Sequence, residues 1–191
     1  MNIFFNWHIK YINWCKNKLS LTNYSLWWIA FIKGLIIGLL IYHFFINNEA
    51  QAQTIKVIDA DTIILDGEKI RFSGIDAPET NFKGKKQICQ LNNLKIFCGN
   101  LSKIVLIEKI SNKKIFCERE TNKDIYKRTL AECFVENKSL SSFLVRSGYA
   151  FDYTKYSKKK YAEDEKYAKN NKLGIWTMEF EYPWVWREKI K

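Results

Sequence analysis

The longest apolar stretch of the chain lies near its beginning, at residues 26–46. Only Lys33 and His43 interrupt these 21 residues, and no polar face recurs at a helical period. Because a helix rises about 1.5 Å per residue, the stretch would extend roughly 30 Å, which matches the hydrocarbon core of a bilayer. The pattern therefore predicts one transmembrane or signal helix, in preference to a buried helix of a soluble core.

The charges that flank this stretch predict its orientation. Lys10, Lys16 and Lys18 precede it, whereas residues 47–53 contain no Lys or Arg. Positive residues remain on the cytoplasmic side of a membrane. We therefore expect residues 1–25 to be a cytoplasmic segment, 47–53 a short linker, and the domain beyond to face the periplasm or the exterior.

Two fates of this helix remain open. Lys33 leaves a lysine-free stretch of 13 residues, the length of a signal-peptide core, and Ala50-Gln51-Ala52 has the pattern of a cleavage site. Against cleavage, the segment before the apolar stretch is long for a signal peptide, and Lys33 can extend its ammonium group to the membrane surface. The expectation is a single-pass membrane protein or, alternatively, a protein secreted after cleavage near Ala52.

Beyond residue 53 the pattern changes to short strands followed by helices. Residues 54–58 and 62–65 are rich in β-branched side chains, Asp66-Gly67 is a hairpin signal, and residues 69–73 alternate between apolar and polar positions. Helical spacing of apolar residues then appears in three segments, at 99–110, 140–147 and 158–172. The pattern predicts an α+β domain at 54–180, an OB-type five-stranded barrel with about three helices, and a C-terminal tail at 181–191.

Composition and charge narrow the class of protein. Apolar residues make up 47% of the chain and aromatic residues 16%, which excludes a disordered tail. Lys and Arg exceed Asp and Glu by 11 charges. Such a basic chain favours a polyanionic partner, either nucleic acid or an acidic membrane surface. The sequence predicts no obligate protein partner.

The cysteines agree with an exported domain. Cys15 precedes the apolar stretch, and four others follow it at positions 89, 98, 117 and 133. If residues 114–118 and 129–135 are adjacent antiparallel strands, Cys117 lies opposite Cys133, which leaves Cys89 to pair with Cys98. Four reduced thiols are the alternative, and a zinc site is disfavoured because no C-x-x-C pair is present.

The residues with the clearest chemistry are three carboxylates and an arginine at strand ends and turns. They are Asp61, Arg71, Asp76 and Glu79. Oxygen ligands without a nearby His or Cys suit a hard cation, calcium or magnesium, rather than zinc. Each piece alone is also ordinary turn chemistry, but the combination of an Asp-x-Asp-Thr segment with an Asp-Ala-Pro-Glu turn is more specific.

Residues 54 to about 177 resemble the staphylococcal-nuclease-like, or thermonuclease, family. The matching segments run along the whole domain: Val57-Ile58-Asp59-x-Asp61-Thr62, Arg71-x-x-Gly74-Ile75-Asp76-Ala77-Pro78-Glu79, Asp124-x-Tyr126-x-Arg128-x-Leu130-Ala131, Leu144-Val145-Arg146-Ser147-Gly148-Tyr149-Ala150 and Leu173-Gly174-Ile175-Trp176. The resemblance implies an OB barrel with three helices and a metal-dependent phosphodiesterase that acts on DNA, RNA or both.

The resemblance also implies roles for individual residues. Asp61 and Asp76 match the family's calcium carboxylates, and Ala77 matches a position whose backbone carbonyl is a ligand. The cofactor that the resemblance implies is calcium, in preference to magnesium. Arg71 and Arg128 match the two phosphate-binding arginines. Glu79 matches the water-activating glutamate.

Two neighbours of Arg128 complete the expected site. Tyr126 could stack on a base or bond a phosphate, and Lys127 could attract the strand. Lys127 stands where the family has glycine, which could alter the turn that carries Arg128. The sequence leaves two alternatives to a nuclease: a non-catalytic OB module that binds single strands, and a membrane-anchored adhesion or assembly domain with a structural calcium ion. A structural calcium ion would explain the carboxylates but not Arg71 and Arg128.

Overall fold

A computed structural model describes residues 2–20, 22–47 and 53–190 of the chain. The chain divides into two units, with the boundary between Ala52 and Gln53. Most of the predicted 47–53 linker and the whole of the Ala50-Gln51-Ala52 cleavage pattern lie outside the described residues.

The described residues of the first unit form two helices, α1 (Asn2–Lys18) and α2 (Asn23–Asn47). The apolar stretch 26–46 lies within α2, and residues Asn23–Phe44 are long and apolar enough to cross a membrane. A signal sequence near an N-terminus satisfies the same requirement. Helix α1 was not predicted: the sequence analysis assigned residues 1–25 only as a cytoplasmic segment.

Over residues 53–190 the second unit contains ten strands. They are β1 (Ile55–Asp59), β2 (Thr62–Leu65), β3 (Glu68–Phe72), β4 (Ile75–Asp76), β5 (Ile88–Leu91), β6 (Leu94–Phe97), β7 (Phe116–Lys123), β8 (Thr129–Val135), β9 (Lys138–Ser139) and β10 (Phe151–Asp152). The main sheet has the order β1-β2-β3-β8-β7, with β9 added to β8. Strand β3 runs parallel to β8, and the other pairs are antiparallel. This order, together with the helices, confirms the predicted OB-type α+β fold.

Two short pairs of strands lie outside the main sheet. Strand β10 pairs with β4, so that Phe151 lies opposite Asp76. Strands β5 and β6 form a hairpin around Asn92 and Asn93, which both have positive φ angles and therefore suit a tight two-residue turn. No strand was predicted in this segment from the sequence.

Helices connect these strands and cover the sheet. They are α3 (Cys98–Ile110), α4 (Leu140–Arg146), α5 (Thr154–Ser157), α6 (Ala162–Asn170) and α7 (Pro183–Lys189), with a 3-10 turn at Gly174–Thr177. Ser139 begins α4 as its N-cap, because its hydroxyl accepts a hydrogen bond from the backbone N–H of Ser142. Proline at the first turn begins α7, where a missing N–H costs nothing.

The core lies between the main sheet and helices α3 and α4. Alternate residues of β8 are buried, as expected for a strand with one face toward the core. They pack with Ile70, Phe72, Leu106 and Leu144, which are all fully or almost fully buried. Disulfides join Cys117 to Cys133 across β7 and β8, and Cys89 on β5 to Cys98 at the start of α3. These are the pairs that the register argument favoured.

A second, aromatic cluster holds the end of the chain against the domain. Phe151 lies at its centre, and its neighbours come from the last part of the chain: Trp176, Phe180, Tyr182 and Trp184. Large aromatic side chains of this kind bury much apolar area. The segment 181–191, which the sequence analysis treated as a tail, therefore contributes a docked helix.

Candidate active site

The two aspartates of the predicted site meet at the base of a buried cluster. Asp61 lies in the turn between β1 and β2, and Asp76 ends β4; their exposed fractions are 3% and 0%. The backbone N–H of Ala77 donates to Oδ2 of Asp61 over 2.7 Å. This bond ties the β4 turn to the β1–β2 turn, so the fold brings Asp61, Asp76 and Ala77 together.

Arg71 joins both aspartates from the neighbouring strand. It lies on β3 opposite Thr62, and its guanidinium forms an ion pair with Asp61 and donates to Oδ1 of Asp76 over 2.6 Å. Burial lowers the pKa of Arg71, but the carboxylates of Asp61 and Asp76 raise it by more. Arg71 therefore stays charged at the centre of the cluster.

The turn that carries Glu79 is fixed through its backbone. Its N–H donates to Oε1 of Gln87 over 3.1 Å, and its carbonyl oxygen accepts from the N–H of Gln87 over 3.2 Å. Gly99 packs so closely against this carbonyl group that a Cβ atom there would overlap it. On the other side, Asp59 accepts hydrogen bonds from the N–H and hydroxyl of Thr80.

The carboxylate of Glu79 points to an arginine that the sequence analysis missed. Arg187 of α7 donates from Nη1 to Oε1 of Glu79 over 2.6 Å. It also donates to both oxygens of Asp76, over 3.1 and 2.7 Å. Burial and the nearby Asp61 raise the pKa of Glu79 to about 7, and the hydrogen bond from Arg187 opposes that rise.

Arg128 reaches the cluster from the loop before β8. Asp124 accepts hydrogen bonds from its backbone N–H at 2.8 Å and from Nε at 2.7 Å, which fixes both the turn and the guanidinium. Nη1 of Arg128 donates to the hydroxyl of Thr62 over 3.4 Å, and that hydroxyl donates to Asp61 over 3.0 Å. Arg128 is therefore linked to the aspartates through Thr62.

Tyr126 and Lys127 lie on the exposed rim beside Arg128. The ring of Tyr126 is 5.3 Å from the guanidinium carbon of Arg128, and its side chain is open to solvent. Lys127 has a φ of 60°, the left-handed conformation that favours glycine. The turn that carries Arg128 therefore has the conformation glycine would give, with lysine in its place.

The chemistry of the cluster suits a hard cation. Among residues 2–20, 22–47 and 53–190 no three His, Cys, Asp or Glu side chains converge as a metal-binding group. Asp61 and Asp76 nevertheless present buried carboxylate oxygens next to the backbone of Ala77, and with Glu79 they outnumber the guanidinium groups of Arg71 and Arg187. An oxygen donor set with excess negative charge is what calcium prefers.

Comparisons with known proteins match most of the domain that contains this cluster. Residues 69–178 match the model of the family described as staphylococcal nuclease homologue. The chain is 32% identical over 130 residues to the succinoglycan biosynthesis protein ExoI of Rhizobium meliloti (strain 1021), covering 66% of this chain and 65% of that protein. It is 28% identical over 123 residues to the staphylococcal-like nuclease CAN1 of Arabidopsis thaliana, covering 63% of this chain and 33% of that protein.

Proposed function

The chain belongs to the staphylococcal nuclease family, and from this premise we propose that it is a metal-dependent nuclease that hydrolyses phosphodiester bonds of DNA, RNA or both. The observation that carries the proposal is the contact of Arg71 with buried Asp61 and Asp76, beside the Glu79 carboxylate that Arg187 holds. Burying a charged group destabilises a protein unless the group pairs with an opposite charge or binds a ligand. Hydrolysis of a phosphodiester requires positive groups that bind the phosphate oxygens and a carboxylate that activates water, and this site contains both.

Arg71 and Arg128 bind and stabilise the phosphate. A phosphodiester under attack gathers negative charge on its non-bridging oxygens, and guanidinium groups can donate two hydrogen bonds to such oxygens. Arg128 is held by Asp124 and Arg71 by the aspartates, so both are preorganised before substrate arrives. Fixed donors lose little entropy when the charge develops.

Glu79 orients the attacking water and accepts its proton. A carboxylate whose pKa is about 7 is matched to this task at neutral pH, because it can both take and release a proton. Its backbone is fixed by Gln87, and its carboxylate is held by the hydrogen bond from Arg187.

The proposed cofactor is calcium, with magnesium as the weaker candidate. Asp61, Asp76 and the carbonyl oxygen of Ala77 would hold it. When bound, the ion supplies positive charge that stabilises the phosphate oxygens. Tyr126 and Lys127 guide the strand to Arg128, through base stacking and charge.

We further propose that the domain works outside the cytoplasm, tethered by α2 or released after cleavage. The long apolar helix and the two disulfides of the domain support this placement, because disulfides persist in oxidising compartments. The chain spans 65% and 33% of the length of the two relatives it matches.

The direct test uses the full chain in detergent micelles with plasmid DNA and with RNA. Calcium, magnesium or a chelator is added, and cleavage is followed on gels. We expect cleavage with calcium and its loss with chelator. An Asp61→Asn variant is the control against a contaminating nuclease and should be inactive. Full cleavage in excess chelator would falsify the metal requirement. Absence of cleavage under every condition would refute the proposal that the protein is a nuclease.

A further inference from the structure

Arg187 is a charged residue of this site that lies outside every segment of the family resemblance. It lies on α7, more than a hundred positions along the chain from its partners Asp76 and Glu79. Its Nη1 atom is shared between the two carboxylates, and its Nη2 atom takes the second oxygen of Asp76. One guanidinium thus joins an aspartate of the cation site to the glutamate proposed to activate water.

Helix α7 is built into the domain, so this contact belongs to the fold. The ring of Trp184 stacks between those of Tyr153 and Tyr182, with centroid distances of 4.9 and 4.6 Å. Gln87, which holds the backbone of Glu79, also donates from its side chain to the carbonyl oxygen of Glu181 over 2.8 Å. The start of α7 and the Glu79 turn are therefore held by the same buried glutamine.

The charges explain what an arginine does there. Asp76 and Glu79 would repel each other when both are ionised, and Asp59 and Asp61 add to the negative charge around Glu79. Arg187 offsets this repulsion by donating to both carboxylates. It also takes oxygens of Asp76 that a cation would otherwise use, and it adds positive charge where a phosphate must approach.

We infer that Arg187 is a positioning residue of the nuclease site that holds Glu79 against Asp76 and weakens cation binding in favour of phosphate binding. The inference deepens the proposed function and rests on it for the phosphate half. A positioning role can be told from a structural one by two measurements. Loss of the arginine from a folded protein should raise the cation affinity and lower the turnover. A loss of structure would lower both.

The test compares Arg187→Gln and Arg187→Lys with a matched variant, Lys189→Gln, in the full chain in detergent. Lys189 lies on the same helix and pairs with Glu181 at the surface, so its change removes the same charge away from the site. Calcium affinity is measured by titration calorimetry and turnover by cleavage of a short fluorescent oligonucleotide. Thermal melting shows that each variant is folded.

For Arg187→Gln we expect calcium to bind about tenfold more tightly, because one positive charge leaves the carboxylate cluster. Turnover should fall on the order of 10²-fold, with a smaller change in KM. Arg187→Lys should restore the wild-type calcium affinity but only part of the turnover, since an ammonium group cannot make the bidentate contact. Lys189→Gln should stay within about twofold on both measurements.

Three outcomes overturn the inference. They are weaker calcium binding by a folded Arg187→Gln variant, unchanged affinity and turnover in that variant, and absence of calcium binding by wild type and variant alike. If the wild-type protein binds calcium but cleaves no nucleic acid, the proposed function fails. The calcium comparison then still decides whether Arg187 opposes the cation.

Discussion

Gln87 holds Glu79 through both polar groups of the Glu79 backbone. The side-chain oxygen of Gln87 accepts from the N–H of Glu79 at 3.1 Å, and the N–H of Gln87 donates to the Glu79 carbonyl oxygen at 3.2 Å. Gln87 is almost fully buried, with 1% of its surface exposed. A buried amide whose oxygen and nitrogen are both hydrogen-bonded positions its neighbour rigidly, so Gln87 sets the location of the glutamate backbone.

We predict that Gln87→Met lowers both stability and turnover. The methionine has a similar volume but leaves the N–H of Glu79 and the carbonyl oxygen of Glu181 without their partner, at a cost of about 1–3 kcal/mol for each group that stays buried. Urea unfolding and oligonucleotide cleavage measure the two effects. Gln90→Met is the matched control, since the side chain of Gln90 is exposed on β5. Equal behaviour of the two variants would contradict the positioning role.

Much of the fold follows from local pattern, whereas one part of the site does not. Alternation in β3 and helical spacing in α3 and α4 indicated these elements nearly to the residue, and the strand assumed at 129–135 for the pairing of the cysteines is β8. The carboxylates and Arg71 were indicated because their spacing is specific to one kind of turn-rich site.

Arg187 was missed because its role depends on tertiary packing. In the sequence, this seven-residue helix with its basic end cannot be distinguished from an undocked tail. The stacking of Trp184 on Tyr153, which docks the helix, is a tertiary contact. Spacing does contain a signal, since Trp184 and Arg187 are three residues apart after a helix-starting proline and therefore share a face. The β5–β6 hairpin was missed for a different reason: its side chains are mostly exposed and its turn residues, Asn92 and Asn93, were not recognised.

We predict that Glu79→Gln lowers turnover by on the order of 10²–10⁴-fold, the usual contribution of a general base. The amide keeps the shape and can still accept a hydrogen bond from Arg187, so the melting temperature should change little. Single-turnover cleavage at saturating calcium isolates the chemical step. Glu181→Gln, which removes an exposed carboxylate nearby, provides the control. Turnover within a few-fold of wild type would remove Glu79 from the mechanism.

A third prediction concerns pH and stability at Glu132. Burial raises the pKa of this carboxyl, but hydrogen bonds from Lys160 and Ser139 lower it by more, so the pKa lies below its ordinary value. The unfolded chain then binds the proton more tightly than the folded protein does. The stabilising contribution is therefore present above the ordinary pKa of about 4.3 and is lost as the pH falls through the lowered folded value.

Glu132→Gln should accordingly lower the melting temperature at pH 7, and the difference from wild type should shrink toward pH 3. Melting curves at several pH values by circular dichroism test this. Glu136→Gln is the comparison, because Glu136 pairs with Lys113 at the exposed surface, over 3.2 Å, where ion pairs contribute little. A deficit of the Glu132 variant that stays constant from pH 7 to pH 3 would show that its charge is not the cause.

The two disulfides differ in what they hold. Cys89 and Cys98 join two segments that both touch the Glu79 turn, since Gln87 comes two residues before the first cysteine and Gly99 directly after the second. Cys117 and Cys133 join opposing positions of β7 and β8, inside the sheet. Only the first disulfide therefore supports the proposed general base.

We predict that removing either disulfide lowers stability by about 3 kcal/mol, because the loops they close have similar lengths, with separations of 9 and 16 residues. The two double variants should differ in turnover. Turnover of Cys89→Ala/Cys98→Ala should fall at least about tenfold, because a small shift of a catalytic group slows the reaction strongly. Turnover of Cys117→Ala/Cys133→Ala should stay within about twofold of wild type. Both double variants are assayed well below their melting temperatures, so that each is fully folded. If the two lose turnover equally, the connection from the Cys89–Cys98 disulfide through Gln87 and Gly99 to Glu79 is wrong, and the loss reflects general destabilisation.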